Sequence, residues 1–124
     1  MLNNNKVLIV DDVPLNRLMV RKMLGTFGLE IMEANNGLEA LEALRHFEAD
    51  VILLDLMMPV MDGFEMLRIL RANPLTARIP VIVLSALNTN EDIVAAYNAG
   101  ANDFVTKPIL FEKLLSSVSA HCPR

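Results

Sequence analysis

The chain has 124 residues, of which 53% are hydrophobic and 21% charged, which excludes intrinsic disorder and fits one domain with a real core. Eleven Lys and Arg against fifteen Asp and Glu leave a formal charge of -4, without the basic footprint of a general nucleic-acid binder. A single cysteine, Cys122, excludes an internal disulfide, residues 1–6 lack the apolar core of a secretory signal, and no apolar run approaches the roughly 18 residues of a membrane span.

These bounds predict a soluble, cytoplasmic, single domain over residues 1–124 with its core at about 6–120, and no membrane or direct nucleic-acid partner. The start Met1-Leu-Asn-Asn-Asn reads as a natural amino terminus. The sequence stops soon after its last helical pattern, so an output segment beyond the carboxyl end is the expected missing part.

In chain order, residues 7–10 form a short Val/Ile/Leu run that suits a strand buried on both faces. Residues 14–27 come next with helical period, Pro14 in the first turn and Gly28 just past the end; Leu15, Leu18, Met19, Met23 and Phe27 mark its apolar stripe. The mixed stretch Glu30–Ala34 fits an edge strand. Residues 37–47 repeat the helical pattern through Leu38, Leu41, Leu44 and Phe47, opened by the capping box Asn36-Gly-Leu-Glu39. Val51–Leu54 is a second buried strand, and Asp62-Gly-Phe-Glu65 caps a helix over 64–71. Residues 81–84 give another buried strand, 91–98 a helix stopped by Gly100, 104–106 a weaker strand, and 110–120 the last helix.

Strict β–α alternation with buried strands predicts a parallel sheet with helices on both faces. Right-handed crossovers leave two orders, a half-Rossmann arrangement and the flavodoxin-like 2-1-3-4-5. Either way, function belongs at the carboxyl ends of the strands.

The polar residues at the carboxyl end of each apolar run carry the chemistry. Asp11 and Asp12 succeed the first strand, Asp55 the third, Ser85 the fourth and Lys107 the fifth. In a parallel sheet these positions share one edge. Three carboxylates crowded together repel, and a divalent cation relieves them; an all-oxygen site with several waters suits Mg²⁺, with Mn²⁺ able to substitute. Lys107 offers a compact charge and Ser85 a hydroxyl to phosphate oxygens. A cation, an ammonium and a hydroxyl around a carboxylate are the parts that stabilise a transferring phosphoryl group, with Asp55 as the nucleophile. No glycine-rich phosphate loop competes for the role.

The stretches VLIVDDVPLNR, VILLDLMMPVMDG, VIVLSA and DFVTKP resemble the receiver domain of bacterial response regulators, of the chemotaxis-regulator kind, over about residues 6–120. The resemblance implies the 2-1-3-4-5 order. It matches Asp55 to the phosphoacceptor and Asp12 to the principal Mg²⁺ ligand, with Asp11 acting largely through bound water. Met57, two past Asp55, matches the residue whose backbone carbonyl reaches the metal. Ser85 and Lys107 match the pair that grips the phosphoryl group, and Phe104 the aromatic switch. Lys107-Pro108 matches a cis peptide bond, and Ala86 a small-residue position beside the site. The implied partners are a sensor histidine kinase or phosphotransfer protein as donor, and a downstream output domain or protein. The implied protein is a phosphoacceptor that assists its own phosphorylation and dephosphorylation, not an enzyme in the ordinary sense.

Other residues read more plainly. Asp62 is a helix cap; Asp50 and Asp103 are solvated loop or strand-entry residues; His46 and His121 are surface histidines; Cys122 lies at a frayed end; most methionines fill the core. Two alternatives compete: a receiver-like scaffold that works without phosphorylation, and a Mg²⁺-dependent aspartyl-phosphate phosphatase of the haloacid dehalogenase type. The phosphatase would need two Asp spaced by one residue after the first strand, where this chain has adjacent acids. Apolar Met57 and Leu87 flank the site and neither can activate water, which predicts a long-lived phosphorylated state.

Overall fold

Every apolar run of the sequence becomes a strand in the computed structural model, which describes residues 5–122. The expectation about the start of the chain lies, for residues 1–4, outside the described residues. The elements are β1 (Lys6–Val10), α1 (Pro14–Leu24), β2 (Glu30–Ala34), α2 (Gly37–Ala43), β3 (Val51–Leu54), α3 (Gly63–Ala72), β4 (Val81–Ser85), α4 (Asn90–Ala99), β5 (Asp103–Thr106) and α5 (Phe111–His121). The five strands are all parallel in the order β2-β1-β3-β4-β5. This is the flavodoxin-like order, and the half-Rossmann alternative falls away. No helix among the described residues is long and apolar enough to cross a membrane.

The two-residue period of a strand divides the core into two layers. Leu8, Val10, Ile52, Leu54, Val81 and Val83 face Ala40 of α2, Met66, Leu67 and Leu70 of α3, and Ala96 of α4. Val7, Ile9, Val51, Leu53, Ile82 and Leu84 face Val20 and Leu24 of α1 and Leu114 and Val118 of α5. The central strands are apolar throughout because both of their faces are covered.

Local signals act where the sequence places them. Asn36 Oδ1 accepts the Glu39 N–H at 2.9 Å while Glu39 Oε1 accepts the Asn35 N–H at 2.8 Å. Asp62 Oδ1 accepts the Glu65 N–H at 2.9 Å. Gly100 closes α4 at φ +119°, in the left-handed region that glycine tolerates.

Several expectations need correction. Helix α1 ends at Leu24, short of Phe27, which instead donates its N–H to the Leu24 carbonyl in a turn. Helix α2 ends at Ala43, and its last carbonyls are taken by the i→i−3 bonds of Arg45 and His46. The supposed stripe of α1 is only half right. Val20 and Leu24 face the sheet, with Met23 and Phe27 beside them; the 100° step per residue turns Leu15 and Leu18 to the far side, so that Leu15, Leu18 and Met19 are 62%, 45% and 49% exposed. Leu38 is likewise exposed. Cys122 is buried in the α1/α5 layer, and burial pushes its thiol up from the ordinary range. Asp103 does open β5 as a strand-entry residue, but its carboxylate also accepts the Ser117 hydroxyl of α5, and His121 on that helix lies 4.0 Å from it with Nδ1 2.8 Å from the Ser117 carbonyl oxygen.

One backbone position is strained. Val60, in the β3–α3 loop, sits at φ +71° although its side chain is 72% exposed and gains little packing there. A left-handed L-residue costs about 1–2 kcal/mol, and branching at Cβ aggravates the clash. Val60→Gly should therefore raise stability by about 1 kcal/mol. An unchanged or lower urea midpoint would show that the side chain is not under strain.

Candidate functional site

Asp11, Asp55 and Lys107 each stand one step beyond a strand, with the amide still bonded to the strand alongside. The Asp11 N–H donates to Ala34 O of β2 at 3.2 Å, the Asp55 N–H to Val10 O of β1 at 2.9 Å, and the Lys107 N–H to Ser85 O of β4 at 2.9 Å. The parallel ladders thus overrun by one residue at the carboxyl edge, and the side chains found there inherit the precision of the sheet.

Carboxylate oxygens of Asp11, Asp12 and Asp55 all lie within 4.8 Å of one another. Lys107 Nζ enters the cluster, 3.1 Å from Asp11 Oδ2 and 3.5 Å from Asp55 Oδ2. Asp11 is further held by the Val13 N–H on its Oδ1 at 2.9 Å, and Asp55 by the Met57 N–H on its Oδ1 at 3.2 Å. Asp11 and Asp55 are buried; Asp12 is half-buried, and its carboxylate has no hydrogen-bond partner among the described residues. Burial above all pushes the Asp55 carboxyl up from its ordinary range, with the Asp11 charge adding to it, while the Met57 N–H and Lys107 work in the opposite direction. One ammonium set against three carboxylates leaves the edge short of positive charge. Hard oxygen donors at this spacing fit a small divalent cation.

The loop after Asp55 brings the start of α3 close against the backbone of Asp55 and Leu56. The Gly63 N–H donates to Leu56 O at 3.0 Å, and a Cβ at residue 63 would fall 2.6 Å from Asp55 O and 2.7 Å from Leu56 Cα. Those are backbone atoms that cannot swing aside, so only glycine lets the start of α3 come this close. Met57 turns its side chain outward, 57% exposed.

Ser85 ends β4 with its hydroxyl fully buried, accepting the Leu87 N–H at 3.2 Å. Strand alternation puts Val81, Val83 and Ser85 on one face, and Phe104 of β5 packs, half-buried, against the layer on that same face. The Lys107–Pro108 peptide is cis. Asp11, Asp12, Asp55 and Lys107 are therefore drawn into one cluster, Ser85 and Phe104 stand on the adjoining strands, and Met57 reaches the cluster through its backbone.

Sequence reasoning missed two contributors. Gly63 reads only as part of a capping box. Arg17 falls inside the stretch VLIVDDVPLNR without any role, yet its Nη1 donates to Asp11 O at 2.6 Å. The offset of six residues from Asp11, more than one helical turn into α1, is a signal that only the three-dimensional path of the chain makes legible.

A parallel 2-1-3-4-5 sheet with a tight carboxylate cluster and a lysine at its carboxyl edge defines a receiver-type signalling module. The sequence model described as "Response regulator receiver domain" matches residues 7–119, and the chain belongs to that family, the receiver domains of two-component systems. It is 36% identical over 115 residues to the DNA-binding dual master transcriptional regulator RpaA of Synechocystis sp., covering 93% of this chain but 48% of that protein. It is 35% identical to Protein PilH of Pseudomonas aeruginosa, covering 93% of this chain and 95% of that one. The chain thus spans about half of the first relative and nearly all of the second. Among solved structures, the receiver domain of sensor histidine kinase PA1611 from P. aeruginosa, described with a magnesium ion coordinated in its active-site cleft, matches with a TM-score of 0.87 at 29% identity, over 95% of this chain and 97% of that one.

The charge imbalance has a measurable consequence for stability. A carboxyl whose folded pKa is raised favours the folded state in its protonated form, so the ionised Asp55 opposes folding at neutral pH. In metal-free protein Asp55→Asn should melt at a higher temperature than the parent at pH 7. The gap should close as pH falls through the Asp55 titration, because the parent regains that stability on protonation. A gap that stays constant with pH would place the effect elsewhere.

Proposed function

We propose that Asp55 accepts a phosphoryl group from a phosphohistidine on a sensor histidine kinase or phosphotransfer protein. One observation carries this reading: Asp55 is a buried carboxylate whose neighbours are two further carboxylates within 4.8 Å and an ammonium at 3.5 Å. An Asp55 oxygen forms the new bond to phosphorus as the phosphorus–nitrogen bond to the donor imidazole breaks, its electron pair leaving with the imidazole. Lys107 is placed to hold a phosphoryl oxygen, and the Ser85 hydroxyl to leave Leu87 and bond another.

Asp12 and Asp55 would hold Mg²⁺, or Mn²⁺ in its place, with the Met57 carbonyl, and with Asp11 acting through water. The hard oxygen donor set supports this, and the related PA1611 receiver is described with magnesium in its cleft. The cation would supply neutralising charge to the carboxylates and to the transferring group. The protein is in this reading a phosphoacceptor that assists its own phosphorylation and dephosphorylation, rather than an enzyme acting on a separate substrate.

The modification adds roughly one and a half to two negative charges at the sheet edge. As Ser85 moves toward the phosphoryl group, the Phe104 ring takes up the freed space, and the face made by α4, β5 and α5 shifts between two pre-existing arrangements. An output domain or separate protein reads that face. We place this activity in the cytoplasm, within one receiver unit spanning residues 1–124, with no direct contact to nucleic acid or membrane.

Mass spectrometry after incubation with a small-molecule phosphodonor and Mg²⁺ should show one added phosphoryl group, lost in Asp55→Asn and in the presence of a chelator. No gain in the parent would overturn the reading in favour of a phosphorylation-independent scaffold. The lifetime of the modified state gives a second test. Met57 and Leu87 are apolar and cannot orient an attacking water, so the double variant Met57→Asn, Leu87→Glu should lose its phosphoryl group faster than the parent. Equal or slower loss would overturn the role given to these two side chains.

A further inference from the structure

Asp11 is fixed at every polar atom it has, whereas Asp12, beside it, is fixed at none of its carboxylate atoms. The Asp11 N–H is bonded to Ala34 O, its Oδ1 to the Val13 N–H and its Oδ2 to Lys107. Its carbonyl oxygen belongs to the peptide unit that leads into Asp12, and that oxygen accepts Arg17 Nη1 at 2.6 Å. Among the described residues this is the one side-chain hold on the Asp11–Asp12 peptide plane.

Arg17 is itself anchored. Its Nε donates to Glu33 Oε1 at 2.9 Å, and its side chain is only 12% exposed. Glu33 is braced from the other side by Arg21, whose Nε lies 2.6 Å from Oε2. Although burial alone would raise the Glu33 carboxyl, the hydrogen bonds from Arg21 and Arg17 hold it below its ordinary range, so the anchor stays ionised. A planar guanidinium can bond the carboxylate with one edge and the carbonyl with another, which an ammonium cannot do at fixed geometry.

We infer that Arg17 is a positioning residue for the cation site: clamped between Glu33 of β2 and the Asp11 carbonyl, it orients the peptide that presents the Asp12 carboxylate. The inference rests on the reading of the acid cluster as a divalent-cation site. It also makes a prediction opposite in sign to simple electrostatics. A positive charge near a cation site repels the incoming ion, so if Arg17 acted only through its charge, removing it would tighten Mg²⁺ binding. If it acts by orientation, removing it weakens binding, as loss of a supporting partner does in other metal sites.

Arg21 provides a graded comparison. It shares Glu33 and reaches Ile31 O at 3.3 Å, but makes no hydrogen bond to Asp11. Backbone amide shifts followed by NMR during titration with Mg²⁺ read affinity residue by residue and report folding in the same spectra. We expect Arg17→Ala to weaken Mg²⁺ binding about tenfold, Arg17→Gln to do the same, and Arg21→Ala, which removes only a brace on Glu33, to weaken it less. Should Arg17→Ala fail to fold, Arg17→Gln and Arg17→Lys carry the comparison, Arg17→Lys being weakened less than Arg17→Gln because one charged donor remains. Arg17 variants that bind Mg²⁺ as the parent does, or more tightly, overturn the inference. A parent protein whose amides near Asp12 and Asp55 do not respond to Mg²⁺ would instead overturn the cation-site reading on which it rests.

Discussion

The structure turns on a repulsion that the sheet is made to hold. Three carboxylates meet at one edge with a single ammonium among them, and nothing in the side chains alone would keep them there. What keeps them is backbone. Asp11, Asp55 and Lys107 each donate an amide hydrogen to the last carbonyl of the adjoining strand, so moving any of them means breaking a ladder bond next to a fully buried core. The apolar strands therefore serve the site as well as the fold: their burial on both faces supplies the rigidity against which like charges can be compressed. Compensating positive charge at this edge would relieve the repulsion, and added negative charge would deepen it.

Much of this was legible in the sequence because the strongest signals of an α/β sheet are also the coordinates of its working edge. Short Val/Ile/Leu runs located the strands to within a residue, and the polar residue ending each run located the site. Capping boxes at Asn36 and Asp62 fixed two helix starts, since a side-chain acceptor three residues before a free amide is a local arrangement that needs no tertiary context. The sequence could not choose between two strand orders on periodicity alone, because both satisfy the same handedness and burial; the resemblance to receiver domains made that choice.

What was illegible depended on contacts between distant segments. The far side of α1 also carries leucines, so hydrophobic content could not say which of Leu15, Leu18, Val20 and Leu24 faces the sheet. Cys122 reads as a frayed end until α5 is seen to lay it against the core. Gly63 looks like an ordinary helix-start residue until the Asp55 carbonyl is found where its Cβ would be. Arg17 and Glu33 are sixteen positions apart, on elements that meet only when α1 folds back over β2. In each case the missing information is a packing distance, which no local propensity carries.

The two ends of the sheet are held in different ways. At the amino edge, Arg71 of α3 spreads its donors over Gly100 O, Ala77 O, Ile79 O and Asn102 Oδ1, and the same Asn102 oxygen accepts the Val81 N–H at the start of β4. One cation there is matched to backbone dipoles that converge on it, with no carboxylate involved, and the loops entering β4 and β5 are pinned together. At the carboxyl edge three carboxylates face one ammonium, and the Asp12 carboxylate is left without a hydrogen-bond partner among the described residues. The loops around Arg71 thus have their polar groups paired, while the strand ends that carry Asp55 and Lys107 are left short of positive charge. The carboxyl end of α4 and the start of β5 are tied to Arg71, whereas the start of α4 lies directly after the loop from Ser85. Helix α4 is therefore held at its far end by Arg71 and joined at its near end to the loop that leaves Ser85.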